Sequence, residues 1–368
     1  MIIKSDRVFE DGQFKSAIIE INDGKITDIR EQGRADLELT GMYVLPGFID
    51  IHTHGCAGFD TMDADVNGML IMKKHMASKG VTSFLPTTMT MDFDKIKNAI
   101  LCAKKASEIN EGAQIAGVYL EGPYFCHSKK GGQNADYLRN PDADETMEWI
   151  KAGDGLVKII SIAPELDGAK EFVEKMSPHI RVSVGHTDAT YEQVTESGIK
   201  HATHLFNAMS PFTHRAPGAI GAVLENEECT AEIICDKIHV HPGALKLALK
   251  TKGSGNLAVI SDSMRAAGMP DGEYDLGGQS ICVKDGIART KEGNLAGSTT
   301  NILDEFKNLA QMGVPLEDIA VMTSQTPAKI ANLKNKGEIK VGNDGDFTVL
   351  DKDLNLVHTI VNGKLVRF

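Results

Sequence analysis

The sequence has no surplus of positive charge. Its 39 Lys and Arg residues stand against 51 Asp and Glu, for a formal net charge of −12. A net anion is a poor partner for nucleic acid, and an anionic ligand needs a local cluster of positive groups to overcome the global field. Long apolar runs are also missing: none approaches the roughly 18 residues of a membrane-spanning helix. The opening stretch MIIKSDRVFEDG is too charged for a secretory leader. The six cysteines, Cys56, Cys102, Cys126, Cys229, Cys235 and Cys282, are scattered and form no CxxC pair. They read as reduced thiols of a cytoplasmic protein and not as a disulfide framework. No internal repeat or low-complexity segment is present.

What is there is globular. Apolar residues make up 42% of the 368 positions and charged residues 24%, which suffices for a large core. The length allows about two domains, or one large barrel with an appendage. Up to about residue 45 the chain reads as strands: IIKSDRVF, SAIIEIN and KITDIRE alternate apolar and polar residues, broken at Asp11-Gly12 and Asp23-Gly24. The end behaves alike, with DFTVLD and VHTIVNGKLVRF turning at Asn362-Gly363. Neither piece can bury a core alone, so residues 1–45 and 340–368 are expected to pair into a small β-sandwich domain. Residues 46–339 hold eight strand candidates: FIDIHTH, TSFLPTTM, IAGVYLEG, LVKIISIAPE, IRVSVGH, HATHLFN, AEIICDKIHV and LAVISDS. Helical periodicity fills most of the gaps, as in VNGMLIMKKHMASKG, FDKIKNAILCAKKASEI and GALKLALKT. The expected fold is α/β, a (β/α)8 TIM-like barrel carrying that sandwich. A doubly wound open sheet is the competitor, weakened because no GxGxxG follows the first strand.

Polar residues collect at the C-terminal ends of the predicted strands, where barrel enzymes build their sites. They are His52 and His54, Glu121, His186, His204 and Asp262. Side chains alternate along a strand, so His52 and His54 point the same way and can face one metal. Imidazole and carboxylate together suit a divalent ion such as Zn2+, Fe2+ or Mn2+. A single histidine at a strand end is usually only hydrogen-bonded, but a set at the same ends of different strands points to a metal site. His75, His179, His201 and His358 lack that placement and read as ordinary core or surface residues. Asp262 after an apolar strand suits a helix cap, or a carboxylate that takes a proton from water and returns it to a leaving group. The latter chemistry is hydrolysis of an amide-like bond.

The segments PGFIDIHTHG, YLEGPYF, VGHTDA, THLFNAMSP, HRAPG, ISDSM and NLAGS resemble the amidohydrolase superfamily and, within it, the deacetylases of amino-sugar phosphates. The resemblance covers nearly the whole chain. It implies metal-dependent hydrolysis of N-acetyl-D-glucosamine 6-phosphate to D-glucosamine 6-phosphate and acetate. The alternatives are the N-acetylgalactosamine 6-phosphate epimer, another amidohydrolase reaction, or a scaffold that lost its chemistry. By the resemblance Glu121, His186 and His204 hold a metal common to all members, and His52 and His54 a second that some retain. One or two divalent ions, Zn2+ or Fe2+, are expected per subunit. Asp262 matches the catalytic acid and base. Gly132, Gln133, Asn207, Ala208, Arg215, His239, Leu295, Ala296 and Gly297 match substrate contacts, with Arg215 reaching the phosphate of a neighbouring subunit. The expected assembly is a cytoplasmic homodimer that binds a small phosphosugar and neither nucleic acid nor membrane. Some members carry histidine where this chain has Gln133. A neutral amide donates a hydrogen bond but no positive charge, so the acetyl carbonyl is expected to be polarised mainly by metal. Lys129-Lys130-Gly131-Gly132 reads as a basic loop and a candidate lid.

Overall fold

A computed structural model describes residues 1–367. The Asx-Gly pairs turn the terminal strands as their chemistry dictates. At Asp11-Gly12, Asp23-Gly24 and Asn362-Gly363 both residues take positive φ, at 51° and 80°, 47° and 78°, and 48° and 68°, the conformation a tight type I′ hairpin needs. Ile2–Glu10, Gln13–Asn22 and Lys25–Arg30 therefore form an antiparallel meander. Tyr43–Pro46 pairs with the first of these and also with Phe347–Leu350 from the far end of the chain. Both termini thus share one eight-stranded sheet. The edge strand Lys25–Arg30 also touches the segment that leads into Phe347–Leu350: Ile26 N donates to Asn343 O at 2.9 Å, and Lys25 bridges Asp344. The sheet folds back around a core that includes Ile3, Ile19, Ile21, Ile26, Val44, Phe347, Val349 and Ile360.

Eight strands follow in the predicted order: Phe48–Thr53, Val81–Thr88, Val118–Glu121, Val157–Ile162, Arg181–Val184, His201–Ala202, Thr230–Ile233 and Leu257–Val259. Each runs parallel to the next. The circle closes at the C-terminal end, where Thr53 bridges Ser263 and Asp262 N donates to His52 O at 2.9 Å. Ile49, Ile51, Leu85, Tyr119, Ile159, Ile234, Ala258 and Ile260 fill the interior, with Ala328 and Ile330 in the same cluster. The predicted helices appear outside as Val66–Ala77, Phe93–Ser107 and Pro242–Lys252. Several strands are shorter than their apolar runs. HATHLFN contributes only His201 and Ala202 to the ladder, because His204 and Phe206 take positive φ and carry the chain into a loop.

One element went unanticipated. Gly272–Leu276, Gln279–Lys284 and Ile287–Thr290 form a three-stranded antiparallel sheet after the eighth barrel strand. Its signal was in the sequence, as alternating residues around Gly277-Gly278 and Asp285-Gly286. Leu276, Ile281, Val283 and Ala288 pack on Met89, Met264 and Ala296, which sets this ribbon beside the barrel mouth. Lys336 ties the barrel to the terminal sheet: its ammonium donates to Asp344 at 2.8 Å, Asp346 at 2.7 Å and Gln114 Oε1 at 3.2 Å. No helix among the described residues is long and apolar enough to cross a membrane.

Candidate metal centre and active site

The side chains singled out at the strand ends converge. His52 lies on the first barrel strand, His54 just after it, and Glu121 ends the third. Gly122 follows Glu121 at φ +84°, and a Cβ there would sit 2.3 Å from Thr90 Oγ1. Only glycine fits that turn. His186, His204 and Asp262 stand just past the fifth, sixth and eighth strands, at φ 46°, 26° and 47°. Left-handed backbone costs a non-glycine residue roughly 1 kcal/mol. Three such residues among six in one site are a local strain that the surrounding fold holds in place.

The six form two triads, His52, His54 and Asp262, and Glu121, His186 and His204, with the ligand atoms of each within 4.8 Å of one another. All are buried; Asp262 is the most accessible at 8%. Three rings have Nδ1 committed elsewhere: His52 to Glu232 Oε2 at 2.8 Å, His54 to Thr87 O at 3.2 Å, His186 to Lys129 O at 2.8 Å. Those partners accept only, so Nδ1 carries the proton and Nε2 presents a lone pair. Each Nε2 points inward. His186 Nε2 and His204 Nε2 lie 3.1 and 3.0 Å from Glu121 Oε1. His54 Nε2 lies 3.2 Å from Glu121 Oε2 and 3.3 Å from Asp262 Oδ1. His52 Nε2 is buried with no hydrogen-bond partner among the described residues. Lone pairs converging from His52, His54 and His186 beside two carboxylates make a seat for a cation. Tetrahedral ligands about 2.0–2.1 Å from zinc sit about 3.3 Å apart, close to these spacings. The residues therefore fit a divalent metal, and the nitrogen and carboxylate donors fit the transition-metal class.

The electrostatics agree. Burial pushes the Glu121 carboxyl up, but the imidazoles of His52, His186, His204 and His54 around it outweigh burial and hold it well below the ordinary range. Asp262 is held low in the same way, against burial, by His52, His54 and His204. Both carboxylates are thus kept anionic, the form that ligates metal or accepts a proton.

The triads open onto a cavity of about 360 Å³. Gly132, Gln133, Asn207, Ala208, His239, Leu295, Ala296 and Gly297 line it, with His54, Glu121, His186, His204 and Asp262. His52 lies behind, reaching the site through Nε2. Asn207 Nδ2 is turned to the carbonyls of His204 and Leu205 at 3.2 and 3.4 Å, and His239 Nδ1 donates to Asp236 at 2.7 Å. Gln133 is buried; its amide nitrogen donates to Glu121 Oε2 at 2.6 Å and its oxygen accepts from Thr90 N at 2.8 Å. In this geometry it steadies a metal ligand. Arg215 is not brought in: it is exposed and does not line the cavity of its own chain. In the basic loop, Lys129 lines the cavity and pairs with Asp188 at 3.4 Å.

Sequence reasoning missed Glu232, fully buried on the seventh strand and bonded to His52, His201 and the His204 amide. A carboxylate inside the apolar run AEII was the available signal. It also missed Met89, Leu276 and Asn294 on the cavity wall.

A parallel barrel with paired imidazole and carboxylate triads at the C-terminal ends of its strands is the architecture of a metal-dependent hydrolase. The chain belongs to the amidohydrolase family, whose profile matches residues 43–366. It is 39% identical over 364 residues to the N-acetylglucosamine-6-phosphate deacetylase of Lysinibacillus sphaericus, covering 96% of this chain and 94% of that protein. Identity to the enzyme of the same name from Bacillus subtilis (strain 168) is 38% over 374 residues, covering 97% and 94%. Among solved structures it resembles a mutant N-acetyl-D-glucosamine-6-phosphate deacetylase from Mycobacterium smegmatis in complex with N-acetyl-D-glucosamine-6-phosphate. The TM-score there is 0.94 at 29% identity, covering 100% of this chain and 99% of the other.

Proposed function

We propose that this protein hydrolyses N-acetyl-D-glucosamine 6-phosphate to D-glucosamine 6-phosphate and acetate. The observation that carries the reading is the opening of both ligand triads, Asp262 among them, onto one small cavity, in a chain whose near-full-length relatives bear that activity in their names. Glu121, His186 and His204 would hold one divalent ion and His52, His54 and Asp262 a second, Zn2+ or Fe2+. A divalent ion there supplies Lewis acidity, which acidifies water and stabilises negative charge on a carbonyl oxygen.

The remaining work falls to the chain. Asp262, anionic and the least enclosed of the six, takes a proton from the attacking water as its oxygen bonds to the acetyl carbon. It then gives that proton to the amide nitrogen as the C–N bond breaks, releasing the amine and acetate. Gln133 already donates to Glu121, which leaves carbonyl polarisation mainly to metal. Gly132, Asn207, Ala208, His239, Leu295, Ala296 and Gly297 flank the sugar. Arg215 from a neighbouring subunit supplies the fork donor for phosphate, which makes the working unit a homodimer.

The decisive experiment measures acetate release from this substrate, from its unphosphorylated form and from the N-acetylgalactosamine 6-phosphate epimer, with metal content determined on the same sample. Turnover that requires the phosphate, is lost on chelation and returns with a divalent ion is the expected result. Absence of turnover with metal bound would overturn the substrate assignment, and faster turnover of the epimer would transfer it.

A further inference from the structure

Glu232 connects three barrel strands beneath the site without entering it. Its Oε2 accepts from His52 Nδ1 at 2.8 Å and from the His204 amide at 3.2 Å; its Oε1 accepts from His201 Nε2 at 3.2 Å. His201 Nδ1 in turn faces Thr230 Oγ1 at 2.9 Å. Glu232 and His201 have no exposed surface, so water does not dilute these contacts. Both of its oxygens are taken up by donors in this network, the arrangement that suits a carboxylate. It is a fixed buried anion one imidazole away from the centre.

The two triads are supported differently. Gln133, a neutral amide, steadies Glu121 in one. A full carboxylate steadies His52 in the other. An anion on Nδ1–H fixes the tautomer and raises electron density at Nε2, which strengthens the nitrogen as a ligand. Two divalent cations would bring four positive charges against two ligand carboxylates, Glu121 and Asp262. Glu232 adds a third negative charge while occupying no coordination position.

We infer that Glu232, oriented by His201, is a positioning residue that acts on the His52, His54 and Asp262 half-site through the His52 ring, touching the other triad only at the His204 backbone amide, and that its charge lets this protein hold a second divalent cation. The inference rests on the metal reading of the site and is independent of which substrate is cleaved.

The test titrates chelator-stripped protein with Zn2+ against a competing indicator, for wild type, Glu232→Gln and Gln133→Met, recording stoichiometry and both affinities. Wild type should take up two ions. Glu232→Gln keeps the shape and removes the charge; its weaker binding event should loosen about 10- to 100-fold, the usual effect of losing an outer-shell partner, with the tighter event within about threefold of wild type. Gln133→Met should instead loosen the event that Glu232→Gln leaves intact. If Glu232→Gln does not fold, His201→Gln serves: it retains the anion but frees one oxygen, and should loosen the same event by a smaller factor. Equal weakening of both events, no change in either, or a wild type that binds one ion only would overturn the inference. A wild type that binds none would overturn the metal reading itself.

Discussion

His186 Nε2 and His204 Nε2 face each other at 3.1 Å, and both face Glu121 Oε1. His186 in its neutral form gives its one proton to the Lys129 carbonyl on its far side, so no hydrogen is left between its Nε2 and these neighbours. Three ligand atoms this close, with the His186 proton turned away from them, form a seat for a cation.

Stripping the metal should therefore destabilise the fold. A divalent ion at about one hundred times its Kd should return about 2.7 kcal/mol by mass action. Thermal scans of chelated and reloaded protein would read this as a midpoint that rises with metal concentration. A midpoint indifferent to chelation would count against the paired triads as metal sites.

Asp262→Asn should abolish proton transfer while sparing the fold. Asparagine tolerates the left-handed backbone that Asp262 adopts at φ 47°, so the loop keeps its course. Losing a general acid and base costs about 10²- to 10⁴-fold, and kcat should fall within that range. The ion held by Glu121, His186 and His204 should remain, as elemental analysis would show. Near-normal turnover would remove Asp262 from the mechanism.

Arg215 is exposed and away from the cavity of its own chain, so its assignment to the phosphate requires a neighbour. Arg215→Ala alone should raise KM for the phosphorylated substrate far more than for the unphosphorylated one. Mixing Arg215→Ala chains with Asp262→Asn chains should restore activity, because a hybrid dimer contains one intact site. No recovery after demonstrated subunit exchange would sink the shared site.

Lys336 donates to Asp344 and Asp346 where the terminal sheet meets the barrel, and its side chain is 11% exposed. Lys336→Met would leave Asp346, itself 8% exposed, without its cation. Breaking a buried pair on one side costs about 3–5 kcal/mol. Denaturant unfolding should show a loss of that order, and an unchanged midpoint would show that the pair contributes nothing to holding the two parts together.

Much of the site was legible because strand alternation and strand ends are local properties. His52 and His54 are two apart on one strand, so they share a face whatever the rest of the chain does. The eight apolar runs announced eight parallel strands, and the Asx-Gly pairs announced the hairpins of the terminal sheet. The extent of the runs was less reliable. Apolar character continues from HATHL past the last paired residue, Ala202, because the loop carrying His204 is itself buried and must be apolar without being strand.

Strand and helix periodicity with turn chemistry were enough, from the sequence alone, to favour a barrel with its polar residues gathered at one end over a doubly wound sheet. Only the tertiary structure decided how those residues divide. It placed Glu121 between His54, His186 and His204, turned the Gln133 amide onto Glu121, and set Glu232 behind His52, 180 positions away in the chain. The reason is physical: hydrogen bonds depend on distances of a few tenths of an ångström between strands whose neighbours are fixed by barrel closure, and a one-dimensional pattern carries the identity of the partners but not their meeting.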